Sequence, residues 1–187
     1  DICHRVVDSG FSTANPIEDV DILADLANTG DLPTQHGNGS FIVDPVATRR
    51  GPLDDVITNM HGVPILYSPH HEEATFCAPC HDVSNPALSV QSDGSYMLNA
   101  MGAAHPSGNI HEMMPEQRTF SEWLNSDFAT EDGVAFPDGR FTDNNGGSTI
   151  GSCQDCHMPA HDGAVCVFWE MPDVGPRLNV PEHSFVG

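Results

Sequence analysis

Apolar residues recur at helical spacing in only two stretches of the chain. From Pro16 to Ala27, the residues Ile17, Val20, Leu23, Ala24 and Ala27 follow the period of one helix face, with acidic residues spread along it and Gly30 as the stop. Residues 119–129 carry the clearest helical signal. There Thr119 and Glu122 have capping-box spacing, and Phe120, Trp123 and Leu124 form one apolar stripe. Residues 72–82 predict a short third helix, in which Pro79 is tolerable only in the first turn. Elsewhere the pattern breaks up. Residues 31–60 read as loop with Phe41-Ile42-Val43 as a short strand, 131–151 as a Gly/Asp/Asn loop, and 171–182 as Pro-rich coil. Asp143-Asn144-Asn145-Gly146 has the start of a calcium loop without its later ligands, and reads as a solvated turn. The expected fold is mainly irregular and loop-rich, with short α-helices and little β.

Composition sharpens this picture. The chain has 187 residues, of which 39% are apolar and only 7% aromatic, alongside 17 Gly and 15 Pro. So thin a core predicts a fold held by something besides its own side chains. Charge is lopsided: 27 Asp and Glu face six basic residues, all Arg, for a net −21. Such a chain has no basic surface with which to displace counterions from nucleic acid, or to sit on an anionic membrane. No run of 18 apolar residues occurs, so no membrane span is expected. The chain opens on Asp1-Ile2-Cys3-His4, with no signal peptide in view.

The cysteines carry the chemistry. Two complete Cys-x-x-Cys-His motifs stand at Cys77-Ala78-Pro79-Cys80-His81 and Cys153-Gln154-Asp155-Cys156-His157. This is the spacing of c-type haem attachment. One helical turn puts both thiols along one porphyrin edge and the next imidazole beneath the iron. Other readings fit less well. A zinc ribbon wants its cysteine pairs within about 20 residues of each other. A thioredoxin-like pair needs a βαβ setting, and a disulfide framework gives no reason for the histidines.

Cys3-His4 is the second half of the same motif, its first Cys falling one position before Asp1. Histidines His4, His81 and His157 are spaced 77 and 76 residues apart. Three arrangements account for Cys3: a third haem whose first cysteine lies outside this sequence, a haem held by one thioether, or a Cys3–Cys166 disulfide with no haem. The first is the expectation taken forward. It makes residues 1–187 a single module within a longer chain.

The words around these motifs resemble multihaem c-type cytochromes of periplasmic and extracellular electron transfer. They are Phe76 to Pro86, Thr119 to Ser126, Cys153 to Pro159, His183-Ser184-Phe185-Val186-Gly187, and Arg50-Gly51-Pro52-Leu53, together about half the chain. The resemblance implies short helices organised around covalently bound haems. Cofactor-binding residues would be Cys77, Cys80, Cys153, Cys156 and Cys3. Iron ligands would be His81, His157 and His4 on one side, with His61, His71 and His183 as distal partners. His70 is not separable from His71 by sequence. The histidine surplus favours bis-His over Met/His ligation.

The cofactor expectation is therefore haem c at two motifs and a third at Cys3-His4. The functional expectation is electron transfer between closely spaced haems. Redox proteins or neighbouring haem subunits would be its partners, with a homo-oligomer or filament among the assemblies. The alternative is a fragment of a multihaem nitrite or hydroxylamine oxidoreductase with one open-coordination haem. A chain with no Lys and two Tyr is poor in the cationic donors that such a pocket needs. No catalytic residue is assigned, and a periplasmic or extracellular location follows from where thioether attachment is completed.

Overall fold

Short strands pair in several small sheets among the described residues. The computed structural model describes residues 2–9, 19–46, 48–56, 65–143, 146–163, 177–182 and 184. Strand β1 (Val6–Val7) pairs antiparallel with β2 (Ile42–Val43), so the expected strand near Phe41 is present. Val7 and Ile42 oppose each other and are buried. Strand β3 (Arg49–Gly51) runs parallel to β4 (Ile65–Tyr67). The largest sheet has β5 (Val83–Val90) at its centre, with β6 (Tyr96–Leu98) and β7 (Met113–Gln117) antiparallel on either side. Two further antiparallel pairs are β8 (Val134–Ala135) with β9 (Thr149–Ile150), and β10 (Ala160–Gly163) with β11 (Arg177–Pro181).

Among the described residues four α-helices accompany them: α1 (Val20–Thr29), α2 (Ala78–His81), α3 (Thr119–Leu124) and α4 (Cys153–His157). The expectation of a mainly irregular chain with little β is thus corrected. Among the described residues eleven strands form five small sheets. The physical reason is strand length. A strand of two or three residues is too short to show an alternating pattern, and its pairing is specified by the turn and by a partner distant in sequence. Residues 131–151 and 171–182, read as loop and coil, hold β8, β9 and β11 on this account.

The helices also depart in detail from their sequence signals. Gly30 ends α1 in the left-handed conformation, φ 80°, as expected. Yet the half-buried positions of α1 are Ile22, Leu23 and Leu26, while Val20, Ala24 and Ala27 are exposed. The buried stripe is rotated from the one the spacing predicts. In α3, Arg118 takes the N-cap position and no side chain caps the helix, so Thr119 and Glu122 form no capping box.

Two buried clusters hold the molecule. The apolar one joins Ala74, Ala78 and Phe120, with Trp123 and Cys153 packed against them. It therefore lies directly under both Cys-x-x-Cys turns. The polar one centres on Arg50, whose guanidinium meets Asp19 at 2.7 Å and Asp44 at 2.8 Å, all three buried. A buried guanidinium shared by two carboxylates satisfies its charge, whereas losing one partner would leave another uncompensated. Among the described residues no helix is long and apolar enough to cross a membrane.

Candidate functional site: the junction of the cysteine turns

Each Cys-x-x-Cys-His segment folds as a single helical turn, as its spacing requires. Cys77 is the N-cap residue of α2, and Pro79 sits within the first two positions, where its missing N–H has no partner to lose. In α4 the cap is fuller. Ser152 accepts a hydrogen bond from the Asp155 backbone N–H at 3.2 Å, and the Asp155 carboxylate accepts from the Ser152 N–H at 2.7 Å. That reciprocal capping box fixes the direction in which Cys153 leaves the helix.

The two turns are tied to each other. Gln154, buried between its motif cysteines, donates from Nε2 to the carbonyls of His71, at 3.0 Å, and Glu73, at 2.8 Å. This clamp brings Cys153 against Cys77, whose thiol donates a hydrogen bond to the Cys153 sulfur. Donation stabilises the protonated form of Cys77 and the thiolate of Cys153. The Cys77 pKa is accordingly pushed up, first by that hydrogen bond and then by burial, and that of Cys153 is pulled down. Cys156 is raised, chiefly by burial. Cys3 is close enough to act electrostatically on Cys77. Cys3, Cys77, Cys80, Cys153 and Cys156 are free thiols.

The Cys3-His4 half motif reaches the same place. His4 donates from Nδ1 to the Arg50 carbonyl at 2.7 Å. His71 lies parallel to it, with ring centroids 5.6 Å apart and planes 11° from parallel. His71 Nε2 donates to the Cys3 carbonyl at 3.1 Å, and burial holds the His71 pKa down at about 4. His70, which sequence could not separate from His71, turns elsewhere. It is buried beside Glu73 and Phe76, with a lowered pKa caused by that burial.

His81 and His157 end their turns exposed, and His81 Nδ1 accepts from Gln117 Nε2 at 3.2 Å. Asp82, fully buried just after His81, accepts from Ser121 at 2.6 Å and faces Arg118 at 3.5 Å and His36 at 3.2 Å. Gly37, at φ 95°, approaches the Asp82 carbonyl so closely that a Cβ would strike it. An open groove of about 600 Å³ runs beside Cys80, between Pro79, Pro86 and Glu116. His61, His183 and Cys166 lie outside the described residues.

The expected cofactor complement is corrected. Among the described residues no group of three or more His, Cys, Asp or Glu side chains is disposed to hold a metal ion. Haem c at two motifs, with a third at Cys3-His4, does not stand as the cofactor set. The junction does bring the Cys77 and Cys153 thiols together, and beside them the parallel imidazoles of His4 and His71 reach Cys3.

Sequence reasoning singled out the cysteines and His71 but passed over the residues that pack around them. Gln154 and Asp155 were only the spacers of a motif, and Asp82 only its flank. His36, seated edge-on against Phe120 at 4.6 Å, carried no local signal. The chain matches no protein-family model, no curated protein and no solved structure.

Proposed function

We propose that the chain is an electron-transfer module working outside the cytoplasmic membrane, the functional class implied by its resemblance to multihaem c-type cytochromes. The observation that carries the proposal is the convergence of the Cys3-His4, Cys77–His81 and Cys153–His157 turns on one junction. Sulfur and imidazole are the side-chain groups most used to hold or tune redox centres. Here the apolar cluster of Ala74, Ala78 and Phe120 and the buried Gln154 clamp pack directly against them. Around the junction the chain supplies rigidity through the Asp82 and Asp155 networks. An acidic, Lys-free surface keeps it soluble in a salty medium and selects redox partners by charge.

The test is a mediated redox titration of the protein isolated from its producing cell, with its intact mass measured on the same sample. A reversible transition is expected, in which the Cys77 and Cys153 thiols pass two electrons to the mediator and release two protons as they join in a disulfide, and the paired Cys77→Ser and Cys153→Ser variant should abolish it. A protein with no reversible transition, or one indifferent to both substitutions, overturns the reading.

A further inference from the structure

The hairpin formed by β5 and β6 stands apart from the rest of this acidic molecule in both charge and exposure. Residues 83–111 contain one charged side chain, Asp93, whereas the whole chain has 27 acidic residues. Tyr96, Met97 and Leu98, the entire length of β6, are 42%, 59% and 71% exposed, and Met101 follows fully exposed. A strand with apolar groups bare on both faces is unusual on a chain with net charge −21.

The backbone of β6 is equally bare on one side. Hydrogen bonds from Asn99 N–H to the Ala87 carbonyl, at 2.8 Å, and from Gln91 N–H to the Ser95 carbonyl, at 2.7 Å, fix the ladder with β5. By strict alternation Ser95, Met97 and Asn99 face β5, and Tyr96 and Leu98 direct their N–H and C=O groups away from it. β6 is the edge of its sheet, so nothing in that sheet covers those groups. No charge, proline or lysine blunts the strand, the usual protections of an exposed edge.

The hairpin is also rigid. Gly94, at φ 82°, closes the turn with its N–H on the Gln91 carbonyl, and Asp93 accepts from the Ser95 N–H at 2.9 Å and hydroxyl at 2.6 Å. Ser89 joins Asn99 at 2.8 Å and His105 at 2.9 Å across the base. A preformed edge of this kind loses little entropy on pairing.

We propose that β6 is a self-association edge, pairing antiparallel with β6 of a second copy of this chain to make one continuous six-stranded sheet. Two features select a second copy as the occupant. First, the strand is self-complementary. A two-fold axis through Met97 sets Tyr96 opposite the partner's Leu98, so the outward-facing groups of each meet, and places an aromatic against an aliphatic side chain. Second, two copies each carrying −21 repel over most of their surface, and the uncharged stretch 94–111 is where they can approach. Screening should therefore strengthen the association, whereas an edge that captured a basic partner would weaken in salt.

Sedimentation equilibrium of the full chain at low and high salt tests this. A monomer–dimer equilibrium is expected at about 10–100 µM chain, the weak class of small interfaces, and tighter by about tenfold at 0.5 M than at 0.05 M NaCl. Tyr96→Pro removes an outward N–H while leaving the β5 ladder intact, and Leu98→Asp puts a charge at the end of the strand, opposite the partner's Tyr96. Each should weaken the dimer at least tenfold with an unchanged thermal midpoint. A chain that stays monomeric in high salt, or a dimer that tolerates both variants, overturns the proposal. A dimer that weakens as salt rises does so too.

Discussion

At the scale of single residues, neighbours in sequence acquire opposite surroundings. His70 and His71 are indistinguishable in the sequence, yet the 3-10 turn Pro69–Glu72 aims one at Glu73 and the other at His4 and Cys3. Only the second joins the junction. Burial lowers the His71 pKa to about 4, from an ordinary value near 6.5 in the unfolded chain. The sign follows from proton counting. Between pH 6.5 and 4 the unfolded chain binds a proton at this ring that the folded chain refuses, so stability falls as the solution is acidified through that window. The contribution is fully present above about pH 6.5 and gone below about pH 4, a span of at most about 3 kcal/mol. His70 is shifted in the same direction and adds to it. Urea unfolding at pH 7 and 4.5 should show a smaller pH difference for His71→Phe than for the unsubstituted chain, by about 2 kcal/mol. Equal pH differences would mean that His71 is not held neutral by the fold.

At the scale of elements, local signals were legible and long-range ones were not. The Cys-x-x-Cys-His spacing announced two helical turns, and both α2 and α4 are such turns. Gly30 announced the end of α1 because a left-handed residue favours glycine. Apart from β2, the strands escaped notice because β3 meets β4, and β10 meets β11, through pairings that no short window contains. The same holds for the contact between α4 and the turn before α2. Gln154 makes that contact by donating to two carbonyls from a side chain that is 3% exposed. Gln154→Ala would strip both acceptors of their donor and should cost about 2–3 kcal/mol of stability. It should also free the Cys77 and Cys153 thiols from one another, so that Cys153 reacts more slowly with a neutral alkylating reagent near pH 8. Lost stability with unchanged thiol reactivity would show that the clamp braces the fold without setting the thiol pair.

At the scale of the whole molecule, two kinds of charge act differently. Surface carboxylates dominate the net −21, and they repel one another through water that salt can screen. The Arg50 group is of the other kind. Asp19, Asp44 and Arg50 are buried within hydrogen-bond reach, joining the start of α1, the loop after β2 and the centre of β3. In the sequence Arg50 read as part of a family word, with nothing to say that Asp44, six residues before it, and Asp19, 31 residues before it, would enclose it. Because the group is shielded from solvent, ions reach it poorly. Raising NaCl from 0.02 to 0.5 M should therefore stabilise the chain by relieving surface repulsion, by about 1–2 kcal/mol or about 3–6 °C in melting temperature. Arg50→Met should lower stability by about 3–5 kcal/mol, since it leaves two buried carboxylates without their cation. That loss should be the same at both salt concentrations. Melting curves of the two proteins at the two ionic strengths measure both effects. If salt rescued Arg50→Met much more than the unsubstituted chain, the Asp19–Arg50–Asp44 group would be open to solvent, and the fold would rest on its apolar cluster alone.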